Sequence, residues 1–204
     1  MTKVLLLNGC SSAGKTTLAE KLQQYLPEPY QYVSLDQFRD GMPMRVRGLN
    51  APQGSEGAQG LNVVPTSSGL TEIRFGSYGR EVLKQMRRSI AGFAAAGINV
   101  IVDDLLLEQQ FLDDYCAVLP LETTWFIGVH CDLEVIEQRE AARPGRFPGT
   151  ATSHYERVHL HGAGYDLEVD TSATPPFEIA QSIVAQLNGR PEALRQYVAS
   201  RQPG

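Results

Sequence analysis

Residues 9 to 16 read Gly-Cys-Ser-Ser-Ala-Gly-Lys-Thr, the pattern G-x-x-x-x-G-K-[ST], and follow directly on the apolar run Val4-Leu5-Leu6-Leu7. A strand that ends in such a loop and runs on into a helix confines the chain to an α/β fold of the P-loop NTPase class. Gly9 and Gly14 let the backbone curl so that successive N–H groups, those of Cys10, Ser11, Ser12 and Ala13 among them, point at phosphate oxygens. Lys15 reaches the outer phosphates and Thr16 offers its hydroxyl to Mg²⁺. A helix starting near Lys15 and continuing through Thr17 adds its positive N-terminal end. The expected ligand is ATP or GTP, with Mg²⁺.

Four short β-rich runs, Lys3 to Leu7, Tyr30 to Leu35, Ile98 to Val102 and Thr123 to Val129, alternate with helical patterns, and a fifth, Leu167 to Val169, lies near the end. Alternation of this kind predicts a parallel sheet covered on both faces. Apolar residues at helical spacing predict crossover helices at Lys15 to Tyr25, Arg80 to Ala96, Glu108 to Leu119, Leu133 to Ala142 and Phe177 to Leu187. Arg45 to Gly79 lacks a clear period and accumulates glycines, serines and prolines, so a long mobile loop or partly ordered insertion is expected there, on the acceptor side. Arg190 to Gly204 reads as an appended helix with a frayed tail. A length of 204 residues with 42% hydrophobic content suits one domain over residues 1–204.

Charge and cysteine content narrow the partners. A net charge of -5 and a pI near 5.4 argue against nucleic acid, whose binders carry a basic face. Cys10, Cys116 and Cys131 are too scattered for a disulfide framework, and no signal peptide is visible, which fits a reducing cytoplasm. Asp103 and Asp104 interrupt the best apolar stretch, so no membrane partner is expected. The oligomeric state, a homo-oligomer included, stays open.

The remaining chemistry lies at predicted strand ends. Asp36 follows the second strand, at the carboxyl edge where open parallel sheets gather ligands, and is the candidate base; the alternative is that it caps a short helix. Val102-Asp103-Asp104 has the form of a Walker B segment. Spacing does not separate the two carboxylates; Asp103 is assigned with Thr16 to the metal, and Asp104 to the acceptor. Leu105 begins an apolar lining that disfavours a phosphorylated or carboxylated acceptor, which would need arginines, and Arg39, Arg45, Arg47 and Arg74 are the local cations. Of these Arg39 is assigned to the acceptor side with Asp36. Arg139 and Arg143 stand four apart before a Pro-Gly break, as at a lid entrance over 143–155, where they would stack on adenine and neutralise charge on the transferred group; a solvated helix end is the plainer alternative. His159-x-His161 lacks the nearby ligands of a zinc site.

In order along the chain, Leu7-Asn8-Gly9-Cys10-Ser11-Ser12-Ala13-Gly14-Lys15-Thr16, Asp36 to Pro43 with its Gly-Met-Pro end, Val102-Asp103-Asp104, Gly128 to Asp132, and Tyr165 to Thr171 resemble the chloramphenicol phosphotransferase family. The resemblance implies a nucleoside monophosphate kinase-like three-layer sandwich with a five-stranded parallel sheet. It also implies transfer of the ATP γ-phosphate to a hydroxyl of a small, largely neutral molecule, chloramphenicol or a related antibiotic, with the aspartate matching Asp36 as base. Arg45 to Gly79, the region the family uses to hold the acceptor, departs from the family's pattern. Other small-molecule kinases (shikimate, gluconate, nucleotide or sugar-nucleotide) and an ATPase or regulator without an acceptor are the competing readings.

Overall fold

The computed structural model describes residues 2–143, 147 and 149–201. In chain order the elements are β1 (Val4–Gly9), α1 (Lys15–Tyr25), β2 (Tyr30–Ser34), α2 (Leu35–Asp40), β3 (Arg47–Leu49), β4 (Leu61–Pro65), β5 (Thr71–Phe75), α3 (Ser77–Ala95) and β6 (Asn99–Asp104). They continue with α4 (Gln109–Val118), β7 (Thr124–His130), α5 (Leu133–Ala141), α6 (Thr150–Tyr155), β8 (Leu167–Asp170), α7 (Pro176–Gln186) and α8 (Ala193–Arg201). Five strands form one parallel sheet in the order β2-β6-β1-β7-β8. β1, β6 and β7 are buried along nearly their whole length, as continuous Val/Leu/Ile runs covered on both faces must be. α1 packs with α7, and α3 with α4, giving the three-layer sandwich.

The register positions the site. Asp103 stands level with Leu7 of β1 on one side and with Ser34 of β2 on the other, and Gly9 stands level with Val129 of β7. The carboxyl ends of these strands, where the order reverses around β1, therefore bring the P-loop, the residues after β2 and the aspartates at the end of β6 to one edge.

The segment expected to be a long mobile loop or partly ordered insertion carries a sheet of its own. β3 pairs parallel with β4, and β4 antiparallel with β5, in a second, three-stranded sheet. In β5 the alternation Glu72-Ile73-Arg74-Phe75 is a strand period that the surrounding glycines obscured. Two of those glycines serve close approach: a Cβ on Gly79 would lie 2.2 Å from the Gly60 carbonyl oxygen, and one on Gly76 2.2 Å from that of Ala58. The buried Asn62 amide mimics a strand partner, accepting from Ala51 N at 3.0 Å and donating to Ala51 O at 2.9 Å, and so ties down the excursion before β4.

α8 docks through Leu194 and Tyr197, and the N–H groups of Ala193, its first residue, and of Glu192 just before it donate to Asp166 Oδ1 at 2.9 and 2.6 Å. The end of the expected tail, residues 202–204, and residues 144–146 and 148 of the expected lid lie outside the described residues. Among the described residues no helix is long and apolar enough to cross a membrane.

Candidate active site

The loop after β1 adopts the backbone that a phosphate cradle requires. A Cβ on Gly9 would lie 2.3 Å from the Val129 carbonyl oxygen, while Ser12 (φ 63°) and Gly14 (φ 90°) take the left-handed conformation that turns successive N–H groups inward. The Lys15 ammonium donates to the carbonyls of Gly9 at 2.8 Å and Cys10 at 3.0 Å and lies 3.6 Å from Asp103 Oδ1. Thr16 Oγ1 donates to Asp103 Oδ2 at 2.8 Å, and the Tyr32 hydroxyl donates to the same oxygen at 3.0 Å. Burial, helped by the negative charge of Asp103, pushes the Tyr32 phenol up to about 12, so it stays a donor.

α2 begins with a capping box: Gln37 N donates to Ser34 Oγ at 3.3 Å and Ser34 N to Gln37 Oε1 at 2.9 Å. Ser34 is thus the cap, and Asp36 is left on the first turn with its half-exposed carboxylate accepting from Arg39 Nη1 at 2.7 Å. Both residues face a cleft of about 80 Å³ whose wall also includes Ser11, Ser12, Gly14, Lys15, Thr16, Asp103, Asp104, Leu105 and Arg143.

Not every expected residue opens onto this cleft. Cys10 and Ala13 are buried behind the loop, and the Cys10 thiol, held at about 12 chiefly by burial, donates to Ala151 O at 3.0 Å. Thr17 is exposed on α1 outside the cleft. The Asp104 carboxylate is satisfied by groups of its own neighbourhood: Oδ1 accepts from Leu105 N at 2.7 Å, and Oδ2 from the Tyr115 hydroxyl at 2.8 Å and from Arg87 Nη2 at 3.4 Å. Arg139 and Arg143 part company, because α5 ends at Ala141. Arg139 donates to Thr171 O at 2.7 Å and Thr171 Oγ1 at 3.1 Å, and Thr171 Oγ1 in turn donates to Ala13 O at 2.6 Å, so this arginine braces the outside of the P-loop. Arg143 lines the cleft.

Sequence reasoning overlooked several participants. Tyr32, Ile73, Phe75 and His154 also line the cleft. Glu140, buried on α5, accepts from Gly149 N at 2.9 Å and Ala151 N at 2.8 Å, which fixes the start of α6 beside the P-loop. Asn8, immediately before the loop, donates through Nδ2 to Val158 O at 2.8 Å and to the Tyr165 hydroxyl at 2.7 Å, and accepts at Oδ1 from Leu106 N at 3.0 Å. The same phenol meets His159 Nδ1 at 2.6 Å and His161 Nε2 at 2.8 Å. A phenol has one proton to give, so with Asn8 donating, one imidazole accepts and the other donates. Only the alternation in β5 could have pointed to Ile73 and Phe75; the others carry no local signal.

A second cavity of about 720 Å³ lies against the three-stranded sheet and shares Ile73 and Phe75 with the cleft. Its wall carries paired charges, Arg80 with Glu108 at 2.8 Å and Arg157 with Glu72 at 3.8 Å.

A P-loop at the head of a parallel sheet, with Thr16 bonded to an aspartate at the end of the neighbouring strand, defines a protein of the P-loop kinase fold. More narrowly, the chain belongs to the chloramphenicol phosphotransferase-like protein family, whose pattern it matches over residues 2–188. Two Mycobacterium tuberculosis proteins, from strains CDC 1551 / Oshkosh and ATCC 25618 / H37Rv and both named "Putative O-phosphotransferase", are 31% identical to it over 181 residues, 89% of this chain and 80% of theirs. Among solved structures, a sugar kinase from Janibacter sp. HTCC2649 superposes with a TM-score of 0.64 at 17% identity, covering 92% of this chain and 95% of that one. The Mycobacterium tuberculosis APS kinase CysC, in complex with AMPPNP and APS, gives 0.63 at 16%, covering 92% and 98%. A gluconokinase from Sinorhizobium meliloti 1021 gives 0.57 at 20%, covering 98% of each chain. At such identities the likeness is one of fold.

Proposed function

We propose that the protein is an ATP-dependent phosphotransferase that moves the γ-phosphoryl group to a hydroxyl of a small, largely neutral molecule. The observation that carries this reading is one cleft in which Lys15, the Thr16–Asp103 pair and the carboxylate of Asp36 meet. The residues suit a Mg²⁺-bound nucleotide: the cradle has no room for a Cβ at Gly9, Ser12 Oγ is buried without a hydrogen-bond partner among the described residues, and Thr16 and Asp103 supply the hard oxygen donors Mg²⁺ prefers. When bound, Mg²⁺ neutralises charge on the phosphates.

The chain's own groups do the rest. Lys15 and the loop N–H groups hold the phosphates, and Arg143 neutralises charge on the group in transit. Arg139, bonded to Thr171, positions the loop and the adenine side. Asp36 orients the acceptor hydroxyl and takes its proton as that oxygen bonds to the γ-phosphorus and the bond to the leaving ADP breaks, a role worth about 10² to 10⁴ in rate. Arg39, paired with Asp36, holds that carboxylate in place. Leu105, Ile73 and Phe75 offer an apolar wall, which favours an acceptor that is neutral over one that is phosphorylated or carboxylated. The acceptor would enter from the three-stranded sheet.

The test is incubation with Mg·ATP and chloramphenicol, then an acceptor panel, with mass spectrometry for a product heavier by one phosphoryl group. A product that disappears with Asp36→Asn supports both the activity and the base. A product formed equally well by Asp36→Asn removes the base assignment, and ATP hydrolysis with no acceptor in the panel modified would favour a nucleotide-dependent regulator.

A further inference from the structure

Buried polar side chains ordinarily find partners, and His154 does not. It lies on α6 with no solvent exposure, and neither Nδ1 nor Nε2 has a hydrogen-bond partner among the described residues. It nevertheless lines the phosphate cleft, as does Ser12, whose hydroxyl is the other unpartnered buried group there among the described residues. Burial, with the charges of Arg157 and Lys15, lowers its pKa to about 3, so the ring is neutral, with one N–H to donate and one lone pair.

The fold does not ask for an imidazole here. An apolar side chain of similar size would fill the same space without stranding two nitrogens away from water, a stranding that costs stability. The surrounding bonds instead fix where the ring sits. Ala151, one helical turn earlier, accepts from the Cys10 thiol and donates to Glu140, so the α6 face that carries both residues is held against the P-loop. Cations near the ring, Lys15 and Arg157, favour an anionic ligand over a metal ion.

We propose that His154 is a nucleotide-binding residue, its ring N–H donating to an oxygen of the outer phosphates while the Ser12 hydroxyl supplies a second donor. This rests on the nucleotide reading above and adds to it a phosphate ligand contributed by α6, outside the P-loop.

The experiment titrates AMPPNP with Mg²⁺ into the full chain by calorimetry and, separately, measures thermal unfolding without nucleotide, for wild type, His154→Leu, His154→Gln and Lys15→Ala. The expected result is about tenfold weaker binding for His154→Leu, the loss of one hydrogen bond to a charged group, with a melting temperature unchanged or raised. His154→Gln, which restores a donor, should recover most of the affinity. Wild-type affinity for His154→Leu, with binding lost in Lys15→Ala, overturns the inference and leaves the nucleotide reading standing. If the wild-type chain does not bind the analogue, or Lys15→Ala binds it as well as wild type, the nucleotide reading fails and takes the inference with it. His154→Met replaces the leucine variant if that does not fold; failure of both apolar variants to fold makes the ring structural and overturns the proposal.

Discussion

Arg87 and Asp104 allow a quantitative test of what the interior tolerates. Arg87 has no solvent exposure, its Nη2 lies 3.4 Å from Asp104 Oδ2, its Nη1 lies 3.6 Å from Asp114 Oδ2, and its guanidinium sits 4.3 Å from the Phe111 ring centroid. At an effective dielectric near 20 each carboxylate attracts it by about 4 to 5 kcal/mol, while removing each ion from water costs several kcal/mol. Both separations are long for charge-assisted hydrogen bonds, and Nε and Nη1 have no hydrogen-bond partner among the described residues, so the pair should contribute little net. Breaking it is another matter. Arg87→Met leaves Asp104 buried with only Tyr115 and Leu105 as donors, and should cost about 3 to 5 kcal/mol, or roughly 6 to 20 °C in melting temperature. Asp104→Asn should cost less, because Asp114 still faces the arginine. The double variant should be more stable than the sum of the two losses predicts, by at least about 1.5 kcal/mol, when unfolding is followed in urea by a double-mutant cycle. Losses that simply add, or an Arg87→Met as stable as wild type, would refute the claim that these charges support each other.

Acid should loosen the fold through its histidines. Burial is the main cause holding His154 at about 3 and His159 and His161 at about 4, below the ordinary 6.5. The unfolded chain therefore takes up protons that the folded one refuses, and this stability is full above pH 6.5 and declines as pH falls below it. At pH 5 the fully buried His154 alone accounts for about 2 kcal/mol. Urea midpoints at pH 7.5 and 5 should differ less for His154→Gln than for wild type; an equal difference in the two proteins would contradict this. Glu140→Ala removes both acceptors from the start of α6, so hydrogen exchange over residues 149–155 should quicken by at least about tenfold, and unchanged protection of Gly149 and Ala151 would show that the helix is held otherwise.

The main sheet was legible because its central strands are buried: continuous runs such as Val4 to Leu7 and Asn99 to Val102 have few other uses. The helices between them were found to within a few residues, Lys15–Tyr25 without error. Strand ends were placed short because the polar residues that finish them, Asn8, Asp103 and Asp104, look like loop, yet they still pair with the adjacent strands. The three-stranded sheet was missed for a different reason. Gly48, Gly60, Gly76 and Gly79 report backbone packed on backbone, and a glycine in close contact is spelled like a glycine in an open turn such as Gly54 or Gly69. At the cleft, local motifs located Lys15, Thr16, Asp36 and Asp103, but His154 and Tyr32 reach it only through tertiary packing.

Asn8 shows how much chemistry a single position before a loop can encode. Its amide gives two protons, to Val158 and Tyr165, and takes one, from Leu106, on three separate stretches of chain. A carboxylate there would turn a lone pair toward the Val158 carbonyl, and an amide rotated by half a turn would set donor against donor at Leu106. The position therefore acts as a polarised key: only one side chain, in one orientation, closes the chain's returning C-terminal third onto the strand that presents the phosphate cradle.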